Sequence, residues 1–395
     1  MLKGKHILLA VTGSIAAYKI ANLASMLVKL EADVHVIMTK NAEQFISPIT
    51  FETLTGNKVI DDTFDRNSGY HVAHISMAAE ADVVLIAPAS ANVIAKLAHG
   101  IADDMLTSTM LAVTAPILVS PAMNTHMFEN PATQANIAAI KAFGYQVIEP
   151  ESGYLACGDT GRGKMPEPED LLEYILQEVA CEKDMAGKKV LITAGPTREA
   201  IDPVRFLSNH STGKMGYALA RNAARRGAQV TLITGPTTIR KPQFADVIEV
   251  TTAEEMYQQT AQAFEGSDII IMSAAVADYR PASVSDHKIK KTDTDMSIPL
   301  ERTRDILGTL AVQKTKQFVC GFSMETEHML AHSKEKLECK KLDMIVANNL
   351  KVAGAGFGGD TNVVTIITAQ SQEELPMMSK DEVAAAILDR IIGVK

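Results

Sequence analysis

What most limits how this chain can fold is that it begins a fold twice. Val190-Leu191-Ile192-Thr193 is a short apolar, β-branched run of the kind buried in a parallel strand, and Ala194-Gly195-Pro196-Thr197-Arg198 breaks it with turn residues. After a polar connection, residues 208–216 lead into a helical pattern over 217–226. The opening has the same layout: an apolar run at 6–11, then Thr12-Gly13-Ser14, then a helical pattern over 15–30. A strand, a small polar loop and a helix N-terminus together offer backbone N–H groups and a positive dipole end to a phosphate. Two nucleotide-type sites in tandem are therefore expected.

The 395 residues suffice for two domains with full cores. A net charge of −9 argues against a nucleic-acid partner, which needs a basic surface, although a small anion needs only a local basic cluster. No apolar run reaches the length of a membrane span, and the N-terminus lacks signal-peptide anatomy. The four cysteines, at 157, 181, 320 and 339, form no CxxC pair, so a cytoplasmic, reduced protein is expected.

Alternation continues throughout. Strands are predicted at 6–11, 33–38, 83–87, 117–120 and 145–148, with helices at 15–30, 91–98, 106–113, 131–143 and 169–179. The second half repeats the pattern with strands at 190–193, 229–233, 247–250, 269–273, 318–322, 344–347 and 363–367, and helices at 215–226, 253–264, 328–340 and 381–392. This implies two doubly wound, Rossmann-like α/β domains, with a polar connection at 181–188 placing the boundary near residue 186 and the domains at 1–186 and 187–395.

Ligands of such sheets bind at the C-terminal strand ends. Those ends carry Thr12-Gly13-Ser14, Thr39, Pro88-Ala89-Ser90-Ala91-Asn92 and Pro121-Ala122-Met123-Asn124. Small hydroxylic and amide residues suit a neutral ring and a phosphate monoester better than a metal, though each taken singly is also an ordinary helix N-cap. His71 and His74 lack a carboxylate or cysteine at ligand spacing, so a single histidine acting as a substrate contact or proton carrier is expected. The glycine-rich stretch 151–164 reads either as a flexible surface loop or as a mobile lid carrying an exposed Cys157 thiol. In the second half Gly213-Lys214 fails the Walker pattern, with Met215 at the Ser/Thr position and Ser208 at the first glycine. Asp278 at a strand end, followed by Lys288, Lys290 and Lys291, instead suggests a triphosphate clamp with a metal or ribose contact. Lys336 and Lys340 share one helix face.

These residues carry a resemblance. Pro121-Ala122-Met123-Asn124-Thr125-His126-Met127 resembles the PxMNxxMW motif of the homo-oligomeric flavin-containing cysteine decarboxylases, with Phe128 in place of tryptophan. His74 is similar to that family's active-site histidine and Ala156-Cys157-Gly158 to its substrate clamp, with Lys164 where arginine is usual. The resemblance implies a flavodoxin-like flavoprotein whose FMN is held by Gly13, Ser14, Thr39, Ser90, Asn92, Ala122 and Met123. It implies oxidation of a substrate thiol to a thioaldehyde, so that charge left by CO₂ delocalises onto sulfur. His74 and Asn124 would hold the carboxylate, and Cys157 would protonate the enethiolate.

In the second half, residues 208–216, 274–280 and 288–291, and Gly321-Phe322 followed by Glu325-Thr326, resemble the phosphopantothenate–cysteine ligases. This implies CTP held by Asp278, Lys288, Thr303, Arg304, Asp305, Ile306, Phe322, Lys336 and Lys340, with Mg²⁺, and Asn209 engaging an acyl-cytidylate. Lys288 would also serve catalysis. The segment Thr303-Arg304-Asp305-Ile306 departs from the usual Asn-Pro-Asp-Ile, and Pro196 replaces a glycine. Together the halves resemble the bifunctional bacterial coenzyme A biosynthesis proteins. That implies 4′-phosphopantothenate, cysteine and CTP as substrates, and a homo-oligomer of decarboxylase trimers, assembled into a dodecamer and joined through ligase dimers. One competing reading makes the second half a dinucleotide-binding reductase, but no G-x-G-x-x-G opens either sheet. Another is a non-enzymatic flavin-binding scaffold.

Overall fold

The computed structural model describes every residue except 66–71, 157, 292–294, 326–328, 350–355, 357 and 394–395. Its contacts divide the chain into Met1–Glu182 and Lys183–Lys395, four residues before the boundary read from the sequence.

The first unit is a parallel sheet of β1 (His6–Val11), β2 (Asp33–Met38), β3 (Val83–Ala89), β4 (Ile117–Pro121) and β5 (Gln146–Val147), in the order β2-β1-β3-β4-β5. This is the flavodoxin-like order, whose switch point lies between β1 and β3. All seven residues of β3 are buried, because both faces of the sheet are covered. Ile7, Leu9 and Val11 belong to one core, with α1 (Ala17–Lys29) and α8 (Pro168–Val179). Leu8 and Ala10 belong to the other, with α3 (Ala73–Glu80), α4 (Ala91–His99), α5 (Met105–Ala112) and α7 (Pro131–Ala142). Alternate residues of one strand thus feed two cores. Three helices lie beyond the sequence expectation, α3, α2 (Pro48–Thr55) and the short α6 (Thr125–Glu129), and an antiparallel ribbon, β6 (Glu151–Tyr154) and β7 (Thr160–Lys164), completes the unit.

The second unit contains β8 (Lys189–Ala194), β9 (Arg198–Ala200), β10 (Phe206–Ser208), β11 (Gln229–Thr234), β12 (Asp246–Glu249), β13 (Ile269–Met272), β14 (Tyr279–Pro281), β15 (Leu300–Arg302), β16 (Phe318–Glu325), β17 (Met344–Asn349), β18 (Thr361–Asn362), β19 (Val364–Thr368), β20 (Gln372–Glu374) and β21 (Met378–Ser379). Its helices are α9 (Lys214–Arg225), α10 (Ala253–Phe264), α11 (Ile306–Ala311), α12 (Met329–Cys339) and α13 (Lys380–Gly393). The main sheet runs β12-β11-β8-β13-β16-β17-β19-β20, and chain order reverses between β8 and β13. The strands from β12 to β17 are parallel, whereas β19 and β20 are antiparallel. An apolar run does not encode its direction, so this mixed edge was not readable from alternation.

Candidate active sites

In the first unit, loops following β1, β3 and β4 enclose a cavity of about 710 Å³, within the usual range for a small-molecule site. Of the expected flavin contacts, Gly13, Ser14, Ser90, Ala122 and Met123 line it, as does Asn124. Thr39 and Asn92 are not in the wall: the Thr39 hydroxyl accepts from Ala42 N–H at 3.2 Å, and Asn92 is exposed on the first turn of α4. The loops converge because the fully buried Thr12 hydroxyl donates to Pro88 O at 2.6 Å and accepts from Ser90 N–H at 3.0 Å. One oxygen therefore ties the ends of β1 and β3 together. The N-termini of α1 and α4 open on the wall, where their positive dipole ends favour an anion; in α1, Ala17 N–H donates to Ser14 O at 3.0 Å and Lys19 N–H to Ala16 O at 3.1 Å.

Asn124 caps α6, its Oδ1 accepting from His126 N–H at 2.8 Å while its Nδ2 donates to Asp159 at 2.8 Å. The β6–β7 ribbon lies directly on this segment. Met123 N–H donates to Gly163 O at 3.1 Å, and a Cβ on Gly163, whose φ is +126°, would stand 2.3 Å from Met123 O. Likewise a Cβ on Gly161 would stand 2.5 Å from the Thr125 hydroxyl. These glycines serve close packing and not the flexibility read from the sequence. Cys157 lies outside the described residues. His74 is half-buried in the first turn of α3 and does not line the cavity.

Two cations stand in the wall: Lys164, which occupies the position where arginine is usual, and Lys19, which was missed by sequence. Lys19 Nζ contacts Glu167 at 2.8 Å, and Lys164 Nζ contacts Glu167 at 3.2 Å and Glu151 at 3.0 Å. The Lys19 ammonium, assisted by Lys164, holds the Glu167 carboxyl below its usual range, and Glu151 with Glu167 raises Lys164. Lys19's place one turn into a helix that starts at a strand end was the available signal. The rim is apolar and open: Ile15, Tyr18, Phe45, Met127 and Tyr154 are 49–74% exposed.

In the second unit the cavity at the switch point, about 140 Å³, is lined by residues 211–216 at the start of α9, 273–275 after β13, and Phe322 on β16. The segment rejected as a Walker loop therefore sits where the topology puts a ligand. Gly216 lets the helix approach the sheet, since a Cβ there would lie 2.5 Å from Ala194 Cβ and 2.7 Å from Ser273 Oγ. Lys214 and Lys380 also line the cavity. Lys214 Nζ donates to Asp360 at 2.7 Å and Gly358 O at 2.9 Å, and Lys380 Nζ to Gly359 O at 2.6 Å and Gly356 O at 3.1 Å. Burial, then the neighbouring Lys214, lowers the Lys380 pKa.

Of the residues expected at CTP, only Phe322 lines this cavity. Asn209 Nδ2 donates to Ala275 O at 3.0 Å and Val276 O at 3.2 Å, one contact from its wall. Thr303 N–H donates to Asp278 O at 3.0 Å; Thr303 and Arg304 line a separate polar cleft of about 260 Å³, where Arg304 stacks on Tyr257 at 4.1 Å. Asp305 caps α11 through Gly308 N–H at 2.9 Å, just before Ile306, and pairs with Lys340 at 2.7 Å. Burial would raise its carboxyl, but Lys340 and that N–H hold it low. Lys336 and Lys340 line one surface cleft of about 320 Å³. Lys288 is exposed, and its neighbour Ile289 is pinned by Asp202 (N–H at 3.1 Å) and Arg205 (to the carbonyl at 2.8 Å).

Residues 1–180 match the Flavoprotein family, and residues 185–394 match the DNA/pantothenate metabolism flavoprotein C-terminal domain. Over its whole length the chain is 49% identical to the coenzyme A biosynthesis bifunctional protein CoaBC of Bacillus subtilis (strain 168), covering 98% of that protein. The chain belongs to the CoaBC family. Over 88% of its length it is also 44% identical to a cysteine/cysteine sulfinic acid decarboxylase of an unknown prokaryotic organism, covering 99% of that protein. A solved C-terminal domain of a CoaBC matches 54% of this chain and 98% of that structure, with 41% identity and a TM-score of 0.47.

Proposed function

We propose that this CoaBC-family chain catalyses two consecutive steps of coenzyme A biosynthesis: CTP-dependent ligation of cysteine to 4′-phosphopantothenate, then flavin-dependent decarboxylation of the product. The full-length identity to the Bacillus subtilis protein carries the reading. Two compact units, each with a cavity at its strand ends, fit two chemistries.

The large cavity in residues 1–186 suits FMN, with the positive end of the α1 dipole for its phosphate and small side chains along the wall. FMN would supply a two-electron acceptor for the substrate thiol and would return the electron pair after CO₂ is lost, so that no net oxidation remains. Asn124 orients the substrate carboxylate, and Cys157 delivers the proton to the enethiolate. His74, outside the wall within its own chain, reaches the substrate in a trimer-based homo-oligomer that buries the apolar rim.

In residues 187–395 the carboxylate of 4′-phosphopantothenate attacks the α-phosphorus of CTP and pyrophosphate leaves; the amine of cysteine then displaces CMP. The α9 N-terminus, Lys214 and Lys380 favour negative charge beside Phe322. Asn209 engages the acyl-cytidylate, while Lys288, the 303–306 segment, Lys336 and Lys340 balance triphosphate charge. Mg²⁺ arrives with the phosphates, as such ions are usually held by one or two carboxylates plus substrate oxygens, and Asp278 offers one. Among the described residues no helix is long and apolar enough to cross a membrane, in keeping with a cytoplasmic enzyme.

The test is incubation with 4′-phosphopantothenate, cysteine, CTP and Mg²⁺ while following pyrophosphate and CO₂. Pyrophosphate release without cysteine turnover, followed by CO₂ only when all components are present, is expected. Release of neither overturns the proposal. The 44% identity to a cysteine/cysteine sulfinic acid decarboxylase favours one second reading, which CO₂ evolution from cysteine alone would support.

A further inference from the structure

At the opposite, N-terminal end of the first sheet, three side chains of metal-ligating type converge. His6 on β1 is in register with Asp33 on β2, and His35 lies two residues beyond Asp33, so all three project from one face. Asp33 Oδ2 stands 3.2 Å from His6 Nδ1 and 3.3 Å from His35 Nε2, and the three ligand atoms all lie within 4.8 Å of one another. His6 Nδ1 is shielded from solvent and makes no hydrogen bond of acceptable geometry; Asp33 Oδ2 is the polar atom before it. Ligand atoms at about 2.0–2.1 Å from a tetrahedral ion are separated by about 3.3 Å, which is the spacing found on both edges.

The carboxylate is also oriented from behind. Asn57 Nδ2 donates to Asp33 Oδ1 at 2.8 Å and to Val34 O at 3.0 Å, leaving Oδ2 for the histidines. Such an outer partner is what fixed ligand carboxylates have. Lys5, the residue before His6, is engaged by Asp82 at 3.2 Å.

We propose that His6, Asp33 and His35 form a binding site for a first-row divalent ion of the zinc and cobalt class, separate from both active sites. Two imidazoles and one carboxylate favour such ions over Mg²⁺ or Ca²⁺, which prefer oxygen alone. The site is partly open, with side chains 41%, 43% and 18% exposed, so water completes the coordination. β2 is the edge strand of its sheet, and an ion here clips that edge to β1. The inference does not depend on the proposed reactions.

The experiment uses full-length flavin-loaded protein, stripped with chelator and held in excess Mg²⁺ to saturate hard-cation sites. Co²⁺ is titrated while the ligand-field bands beyond the flavin absorption are read, and Zn²⁺ is then added to displace it. One Co²⁺ per chain, displaced by Zn²⁺, with affinity lowered at least about tenfold in both His35→Ala and Asp33→Asn, is expected. Asp33→Asn keeps the side-chain shape and its Asn57 contact, so it decides the matter if His35→Ala folds poorly. Absence of stoichiometric binding at micromolar Co²⁺, or binding undiminished in a folded variant, overturns the site.

Discussion

Replacing Gly216 with alanine tests whether the start of α9 is set by contact with the strand ends. The added Cβ would stand 2.5 Å from Ala194 Cβ and 2.7 Å from Ser273 Oγ, whereas apolar carbons rest about 3.5–4.0 Å apart. Ala194 Cβ has no rotamer through which to escape. Ser273 can turn away only by giving up its bond to Thr193 O at 2.7 Å, worth about 1 kcal/mol. Overpacking of this kind costs about 1–3 kcal/mol. Alanine regains about 1 kcal/mol of helix propensity. The net is a loss of about 1–3 kcal/mol, or roughly 2–12 °C for a unit of this size. Because the chain divides into two compact units, the loss should appear in the melting of the second unit and in CTP-dependent pyrophosphate release, with flavin retention unchanged. Gly266→Ala, whose Cβ would meet nothing closer than 4.0 Å, is the control. A Gly216→Ala protein that melts with the wild type and releases pyrophosphate at the wild-type rate would refute the reasoning.

Other expectations are separable by assay. Cys157→Ser should stall CO₂ release while pyrophosphate release continues, and Lys288→Ala should stall pyrophosphate release while CO₂ still evolves from supplied 4′-phosphopantothenoylcysteine; loss of both activities in both folded variants, each assayed on its own substrate, would sink the two-site assignment. Thr12→Val leaves Pro88 O and Ser90 N–H without their shared partner, an expected cost of about 1–3 kcal/mol with earlier flavin release on heating, read by flavin fluorescence. Asp202 accepts from Arg205 and from three backbone N–H groups, and Arg205 above all holds its carboxyl far below the ordinary range. Its contribution is therefore present above an unfolded pKa of about 3.9 and lost as pH falls toward the folded value. Asp202→Asn should flatten acid unfolding of the second unit below about pH 4 while adding no new pH dependence between 5 and 8, as followed by circular dichroism.

Much of the architecture was legible because β1, β2, β3 and β4 are apolar runs bounded by turn residues, and α4, α7 and α8 keep helical spacing. Short elements escaped. α2 begins at a proline and α11 spans six residues, too few for a period to declare itself. The β6–β7 ribbon read as a loop because Gly161 and Gly163, required for contact with Thr125 and Met123, look in sequence like slack. Strand-end logic found most of the flavin-side wall, since small residues there were the signal. Thr39 and Asn92 obeyed the same logic but fell outside the wall, one accepting from Ala42 N–H and one facing solvent. In the second unit residues 211–216 fail the Walker pattern, yet they line the cavity where the strand–loop–helix layout puts an anion. A site built from backbone N–H groups and a close glycine leaves little side-chain signature.

Lys214 and Lys380, the first residues of two helices, hold carbonyl oxygens of one short glycine segment and also border the same cavity. An anion arriving there competes with the protein's own acceptors for those ammonium groups. Dilute monovalent ions bid poorly in that exchange, while a polyphosphate can outbid the carbonyls and let the segment go. Two ammonium groups already engaged by carbonyls therefore favour a ligand of high charge over one of low charge, whatever else that ligand carries.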